Sequence, residues 1–248
     1  MKKIVITLSG GMDSAVLLFK AAKEADEVYT VTFDYGQRHN KELECVSTQL
    51  FQAKEQYKKV KFFNTKLDTK FIRDIAPTSS LTNDDINTPD VKEVMGEAQP
   101  ASYVPFRNLM FLSMICSHAE AVGANEVWYG AAQADSLAGY WDGSQEFVDQ
   151  MNNITALNRE NRITVKAPLI EMSKKEIIQA GVSLGVNFYN TYTCYSGEYP
   201  CDANSASSAL RLKGFVEAGL KDPLRYKQQD KLEKLYEANN CRPIIMKY

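Results

Sequence analysis

Ser9-Gly10-Gly11-Met12-Asp13-Ser14 is the run of this chain whose residue types and spacing most directly specify chemistry. Adjacent glycines let the backbone take conformations barred to other residues and bring its N–H groups close to an anion. The Ser9 and Ser14 hydroxyls add donors, and a helix starting here adds the positive end of its dipole. An apolar run from Ile4 to Leu8 precedes the six residues, and Ala15, Val16, Leu17 and Leu18 follow in helical pattern. The order strand, tight turn, helix is that of a phosphate trap. Asp13 has two jobs open to it there, capping the helix or holding a Mg²⁺ that bridges phosphates. No Gly-Lys-Ser/Thr follows at the Walker A spacing, so the turn is of another kind.

Three more clusters pair charge with flat or polar groups. Phe33-Asp34-Tyr35-Gly36-Gln37-Arg38-His39 offers an aromatic face for adenine and Arg38 for phosphate or carboxylate. Arg107 and Asn108 open a helical pattern, where one can fork an anion and the other cap or bond a base. Ser173 caps another helix whose first turn holds Lys174 and Lys175; a cation there opposes the dipole, and a nearby anion would explain it.

The elements that must position these groups alternate. Strand-like runs at 3–8, 27–33, 59–64, 126–130 and 162–166 are interleaved with helical patterns at 13–24, 39–55 and 108–122. The alternation predicts an α/β, Rossmann-like doubly wound parallel sheet with helices on both faces. Ligands of such sheets sit beyond the carboxyl ends of strands where the winding reverses, the place of the first glycine turn, of Asp34 and of Gly130. Residues 65–105 are polar and proline-punctuated, which reads as a mobile cover over a site or as plain disorder. We place a nucleotide-binding domain at 1–166 and a helical C-terminal part at 167–248, with helices near 173–184, 205–218 and 225–238.

The 248 residues carry 29 Lys and Arg against 31 Asp and Glu, a net charge of −2 without the basic footprint of a nucleic-acid binder. No stretch approaches the roughly 18 apolar residues of a membrane span, and the short first strand is no signal peptide. Five cysteines suit a reducing compartment. These features predict a cytoplasmic protein with a small or proteinaceous substrate.

The SGGMDS run resembles the PP-loop, the SGGxDS signature of ATP pyrophosphatases of the adenine nucleotide alpha hydrolase type, which cleave ATP between its α- and β-phosphates. With FDYGQRH at 33–39 it is similar to the 7-cyano-7-deazaguanine synthase (QueC) family. The likeness continues at Tyr103-Val104-Pro105-Phe106-Arg107-Asn108, where the family pattern is YVPGRN, and at Gly130, Asp135 and Tyr140-Trp141-Asp142. Pro168 to Lys174 resembles a PLxxLxK segment with Met172 for its second leucine, and Asp222-Pro223-Leu224-Arg225-Tyr226 extends the match toward the C-terminus. The resemblance implies ATP contacts from Leu8, Ser9, Gly10, Gly11, Asp13, Ser14, Phe33, Arg38, Gly130 and Lys174, with Asp13, Ser14, Arg38 and Lys174 catalytic. It implies a deazaguanine pocket from Tyr35, Gln37, Arg107, Asn108, Asp135, Tyr140, Asp142 and Phe147, in which acids accept from the base's N–H groups and aromatic rings stack on it.

The family uses ATP and Mg²⁺ to adenylate 7-carboxy-7-deazaguanine, lets ammonia displace AMP to give the amide, and adenylates that amide to reach the nitrile. The first half-reaction is therefore the expected activity, with the nitrile step left open. Phe106 replaces a family glycine, Trp141 a proline, and Gly143-Ser144 the Cys-Arg of YPDCR. Of four zinc cysteines only Cys194 and Cys201 are present, with Asn204 and Ser207 in the other positions, so zinc is expected to be absent and the two thiols buried. The changed acceptor side leaves two alternatives: a ligase joining the activated base to a protein amine, as QueC-like proteins of antiviral defence would, or a noncatalytic nucleotide-binding module. Thiolation of tRNA, known among other PP-loop enzymes, is disfavoured by the charge balance. A homodimer is implied by the resemblance alone.

Overall fold

In the computed structural model, residues 1–37, 41–83, 85–87, 100–194 and 199–245 are described. Five strands, β1 (Lys3–Thr7), β2 (Glu27–Asp34), β3 (Lys61–Asp68), β4 (Glu126–Trp128) and β5 (Thr164–Lys166), form a sheet in the order β3-β2-β1-β4-β5. Every neighbouring pair is parallel, with Ile4 opposite Val28 on one side and Glu126 on the other. The chain winds outward from β1 to β3, then returns across β1 to β4. The reversal leaves a crevice at the carboxyl ends of β1 and β4.

Alternation along the strands builds one core on each face. Ile4, Ile6 and Trp128 pack under α1 (Met12–Glu24), α2 (Lys41–Gln56) and α7 (Lys174–Leu184), together with Val16, Leu50, Ile177 and Phe188. Val5, Val31, Val127 and Val165 pack under α4 (Arg107–Val122) and α6 (Gln145–Thr155), with Leu112, Ile115 and Val148. Two-sided burial is why β1 reads as a continuous apolar run. The short helices α3 (Phe71–Ile75) and α5 (Gln133–Leu137) lie between these layers in sequence, and α8 (Ala206–Glu217) and α9 (Gln229–Ala238) complete the described helices.

Three boundaries depart from the sequence pattern. β3 runs on through Asp68, in register with Asp34, although three of its last four residues are polar, because an edge strand with one partner keeps much of its surface in water. The first part of the expected mobile cover is thus body: Ile72, Ala76 and Leu81 are buried in the second core. Of the remainder, residues 84 and 88–99 lie outside the described residues. α9 begins at Gln229 rather than near 225, since Cys201 takes the Arg225 carbonyl and Tyr226 is bridged to it.

After Lys166 the chain packs on the same sheet face as α1, with Ile177, Phe188 and Phe215 in the first core. A third cluster of Tyr192, Cys194, Cys201, Leu212, Leu224, Tyr226 and Tyr236 lies beyond it. α7 approaches α1 closely at Gly181, where a Cβ would run into Phe188 and stand 2.8 Å from Val16. Gly181→Val should therefore lower the unfolding free energy by about 1–3 kcal/mol through overpacking. Urea unfolding measures this, and an unchanged midpoint would show that the two helices are not in close contact there.

Candidate active site

Leu8 follows β1 in the core, and the chain turns at once through Gly10 with φ +95. A Cβ at Gly10 would collide with the Glu42 carbonyl oxygen, so the turn can pass α2 only as glycine. Ser14, in the first turn of α1, donates to the Gly11 carbonyl at 3.1 Å, and its Oγ lies 3.1 Å from Ser9 Oγ. The Gly11 N–H rests on Ser9 Oγ at 3.2 Å. Donors of the turn are thus gathered at a helix N-terminus and held by weak bonds among themselves.

Two helices bring opposite charges to this turn. Ser173 caps α7 in a reciprocal box with Glu176, which fixes the direction of the next side chain, and Lys174 donates to Asp13 Oδ2 at 2.6 Å. Lys174, not Lys175, is the inward lysine. Burial opposes its charge, but Asp13 and Asp135 outweigh burial and hold the ammonium above the usual lysine range. Asp13 Oδ1 is buried with no hydrogen-bond partner among the described residues.

At the other end of the crevice the first residues of α4 meet the loop after β4. Arg107 donates to Tyr35 Oη at 3.1 Å and to Asn108 Oδ1 at 3.2 Å, with its guanidinium 5.3 Å from the Tyr35 ring centre. Asn108 lies beside the buried Asp142 and, with Arg107, favours its charged form. Asp135 accepts from the Ala132 N–H at 2.8 Å, and burial raises it above the ordinary carboxylate range. Tyr140 Oη lies 2.6 Å from Ser102 Oγ.

One cavity of about 330 Å³ joins the two ends. Leu8, Ser9, Gly11, Asp13, Ser14, Phe33, Gly130 and Lys174 line it together with Tyr35, Gln37, Arg107, Asn108, Asp135, Tyr140 and Asp142. Gly10, Phe147 and Gln37 each have a structural part as well. Gly10 does not border the cavity but turns the chain behind it. Phe147 is buried between Tyr129 and Trp141, with ring centres 6.1 and 5.3 Å away, because the apolar face of α6 must cover β5. Gln37 spends its amide on the turn itself, accepting from the Tyr35 N–H at 3.0 Å. Arg38 and His39 lie outside the described residues. Glu42, Ser102, Tyr103 and Arg211 also line the cavity, and none was assigned a part in the site from sequence. Glu42 in the first turn of a helix reads as an ordinary complement to the dipole, so only the fold shows that it overhangs the glycine turn.

Cys194 and Cys201 are buried, and Tyr192 hydrogen-bonds both. The bond with Cys194, then burial, pushes the Cys201 thiol up. Ser207 donates to the Thr193 carbonyl at 2.7 Å, and Asn204 is exposed. No cluster of three or more His, Cys, Asp or Glu side chains fit for a metal occurs among the described residues. Phe106 keeps a glycine-like left-handed backbone, φ 54, where a side chain costs roughly 1–2 kcal/mol; its ring meets Trp141 edge-on at 5.4 Å.

The family model described as "Queuosine biosynthesis protein QueC" matches residues 3–219. The chain belongs to the QueC family. Among its QueC relatives, a 7-cyano-7-deazaguanine synthase of Clostridium kluyveri is 38% identical over 92% of this chain and 99% of its own. Another from Thermoplasma volcanium is 36% identical over 98% of each chain. The fold is shared more widely. The NMN synthetase of Francisella tularensis superposes with a TM-score of 0.50 at 13% identity, over 96% of this chain and 86% of that one. A 4-thiouridine synthetase solved with RNA and ATP gives 0.51 at 20% identity, over 96% of this chain and 53% of that one.

Asp142 in this QueC-family crevice has a pH signature. Burial raises it above the ordinary value of 3.8, against the pull of Arg107 and Asn108. A carboxyl raised in the folded state stabilises the fold fully below its ordinary value and loses that contribution as pH rises through the raised value. The stability of Asp142→Asn relative to the parent should therefore increase as pH goes from about 4 to about 7. Thermal unfolding across that range tests it; a difference that stays flat or reverses would contradict the raised carboxyl.

Proposed function

We propose that this chain transfers AMP from ATP to the carboxylate of a 7-deazaguanine and then passes the activated acyl group to an amine. A carboxylate oxygen attacks the α-phosphorus and the bond to diphosphate breaks. The amine then attacks the acyl carbon, AMP leaves, and the nitrogen loses a proton. One observation carries this reading: a single cavity has a glycine turn with Lys174 at one end and the Arg107, Asp135 and Asp142 cluster at the other. The activity for which the relatives are named supports the choice of base. A flat heterocycle held by its N–H groups on Asp135 and Asp142 would face its carboxylate toward the nucleotide.

The turn's N–H groups and the Ser9 and Ser14 hydroxyls bind phosphate oxygens, and Lys174 offsets the charge that builds on the leaving diphosphate. Arg38 would add to it. The acids present fit Mg²⁺, which is commonly held by one or two carboxylates and phosphate oxygens. Asp13 Oδ1 is free of protein partners among the described residues, and Glu42 overhangs Gly11, where a Cβ would stand 2.7 Å from Oε1. When bound, the ion neutralises phosphate charge. Zinc does not fit the residues at 194, 201, 204 and 207, and no step runs through it.

The acceptor reading is divided by the rim. Phe106 and Trp141, 57% and 37% exposed, stand beside cavity residues, which favours as a second reading an amine on a larger partner than ammonia. Mass spectrometry of products from ATP, Mg²⁺ and the carboxylated base, with and without ammonium, tests both. AMP formed only with the base supports the first step, an amide formed with ammonium supports ammonia as acceptor, and no AMP under any condition overturns the proposal.

Lys174→Met should slow AMP release about a hundredfold or more, as loss of one charge-stabilising group does, while affinity for the base is kept. Chromatographic AMP assays and base titration separate the two, and near-parental turnover would remove Lys174 from the reaction. A second expectation is that elemental analysis of the purified protein finds zinc well below stoichiometric amounts. Near-stoichiometric zinc, lost with activity on chelation, would mean that other ligands replace Asn204 and Ser207.

A further inference from the structure

Gln49 lies on α2, 1% exposed, and no chemistry in its sequence neighbourhood marks it. Its Nε2 donates to the Gly10 carbonyl at 2.7 Å and to the Asn190 carbonyl at 2.9 Å. Both neighbours are acceptors, so only the NH₂ end of the amide suits the place. Oε1 is buried with no hydrogen-bond partner among the described residues, so the donor end alone fixes the side chain. The Tyr192 N–H reaches the same Gly10 carbonyl at 3.2 Å.

A buried amide left half unsatisfied is a cost that a simple core position would shed for leucine. What it holds is the peptide between Gly10 and Gly11. That peptide is planar and trans, so its C=O and N–H point in opposite directions. With the Gly10 carbonyl held inward, the Gly11 N–H must face the cavity side, where it rests on Ser9 Oγ. Two glycines in succession give this peptide little resistance of its own to rotating over. The second anchor is itself braced: Arg211 donates to Thr191 Oγ1 at 2.7 Å and to the Phe188 carbonyl at 3.1 Å, and forks Asp222 at 2.7 and 2.9 Å. We infer that Gln49 is a positioning residue that locks the Gly10–Gly11 peptide with its N–H toward the nucleotide, using the Arg211-braced segment at 188–192 as its fixed point. The inference rests on the reading of the glycine turn as the phosphate site.

Calorimetric titration of the full chain with α,β-methylene ATP, and separately with 7-carboxy-7-deazaguanine, tests it. Gln49→Met removes both donors at similar volume, and Gln49→Asn keeps a polar amide too short to span both carbonyls. Each should weaken binding of the nucleotide analogue about tenfold or more, the worth of one lost net hydrogen bond, and leave base affinity within about twofold. A merely structural role would lower the melting temperature without that split. Analogue affinity within about twofold of the parent in either folded variant overturns the inference while the phosphate reading stands. Should Gln49→Met fail to fold, Gln49→Asn decides. A parent chain that does not bind the analogue overturns the phosphate reading itself, and this inference with it.

Discussion

Lys174 and Asp13 meet at 2.6 Å because two helices, distant in sequence, begin at the same end of one sheet and cover the same face. Neither charge sits there cheaply. The side chains are 16% and 27% exposed, and each lies in the first turn of its helix, where the positive dipole end suits Asp13 and opposes Lys174. Their pairing fixes α7 against α1 at the mouth of the reversal between β1 and β4, and Gly181 lets the two helices close further along. The cavity exists because that contact and the turn at Gly10 leave space between them.

The far wall depends on a different device. Arg107 is the first residue of α4, set just after a left-handed residue, and it reaches back to Tyr35 and bonds Asn108. Buried acids held near a guanidinium keep polar capacity in a wall that is otherwise aromatic. Such groups carry a desolvation cost in the free protein, and a base whose N–H groups satisfy them would relieve it. The left-handed backbone at Phe106 sets the start of α4 while its ring lies exposed on the rim.

Beyond the sheet, the C-terminal segment is organised by a buried pair. Arg211 and Asp222 are nearly inaccessible, and Thr191, Tyr226 and the Phe188 carbonyl complete their hydrogen bonds. A pair so fully satisfied rigidifies its surroundings even where its net stabilisation is small. Its effect passes along 188–192 to the glycine turn, which links the segment holding Cys194 and Cys201 to the crevice.

The apolar runs of β1 and β2, the glycine turn, the serine cap before Lys174 and the family itself were legible in the sequence, because burial on two sheet faces, tight turns and helix starts each demand particular residue types locally. β3 beyond Asn64 was not, since an edge strand tolerates the polar residues of a loop. Phe147 could not be placed from sequence, because an aromatic at helical spacing reads alike whether it faces a pocket or a core, and only the packing of α6 over β5 turns it inward. Glu42 and Gln49 carry no local mark at all. Their parts follow from α2 lying across the turn at Gly10, a contact between residues some forty positions apart. The sequence by itself determined the strands and the longer helices other than α6, and which residue types suit a phosphate; the tertiary structure alone placed α3, α5 and α6 and decided which residues share one cavity, because proximity across the sheet is set by strand order and helix packing rather than by any local preference.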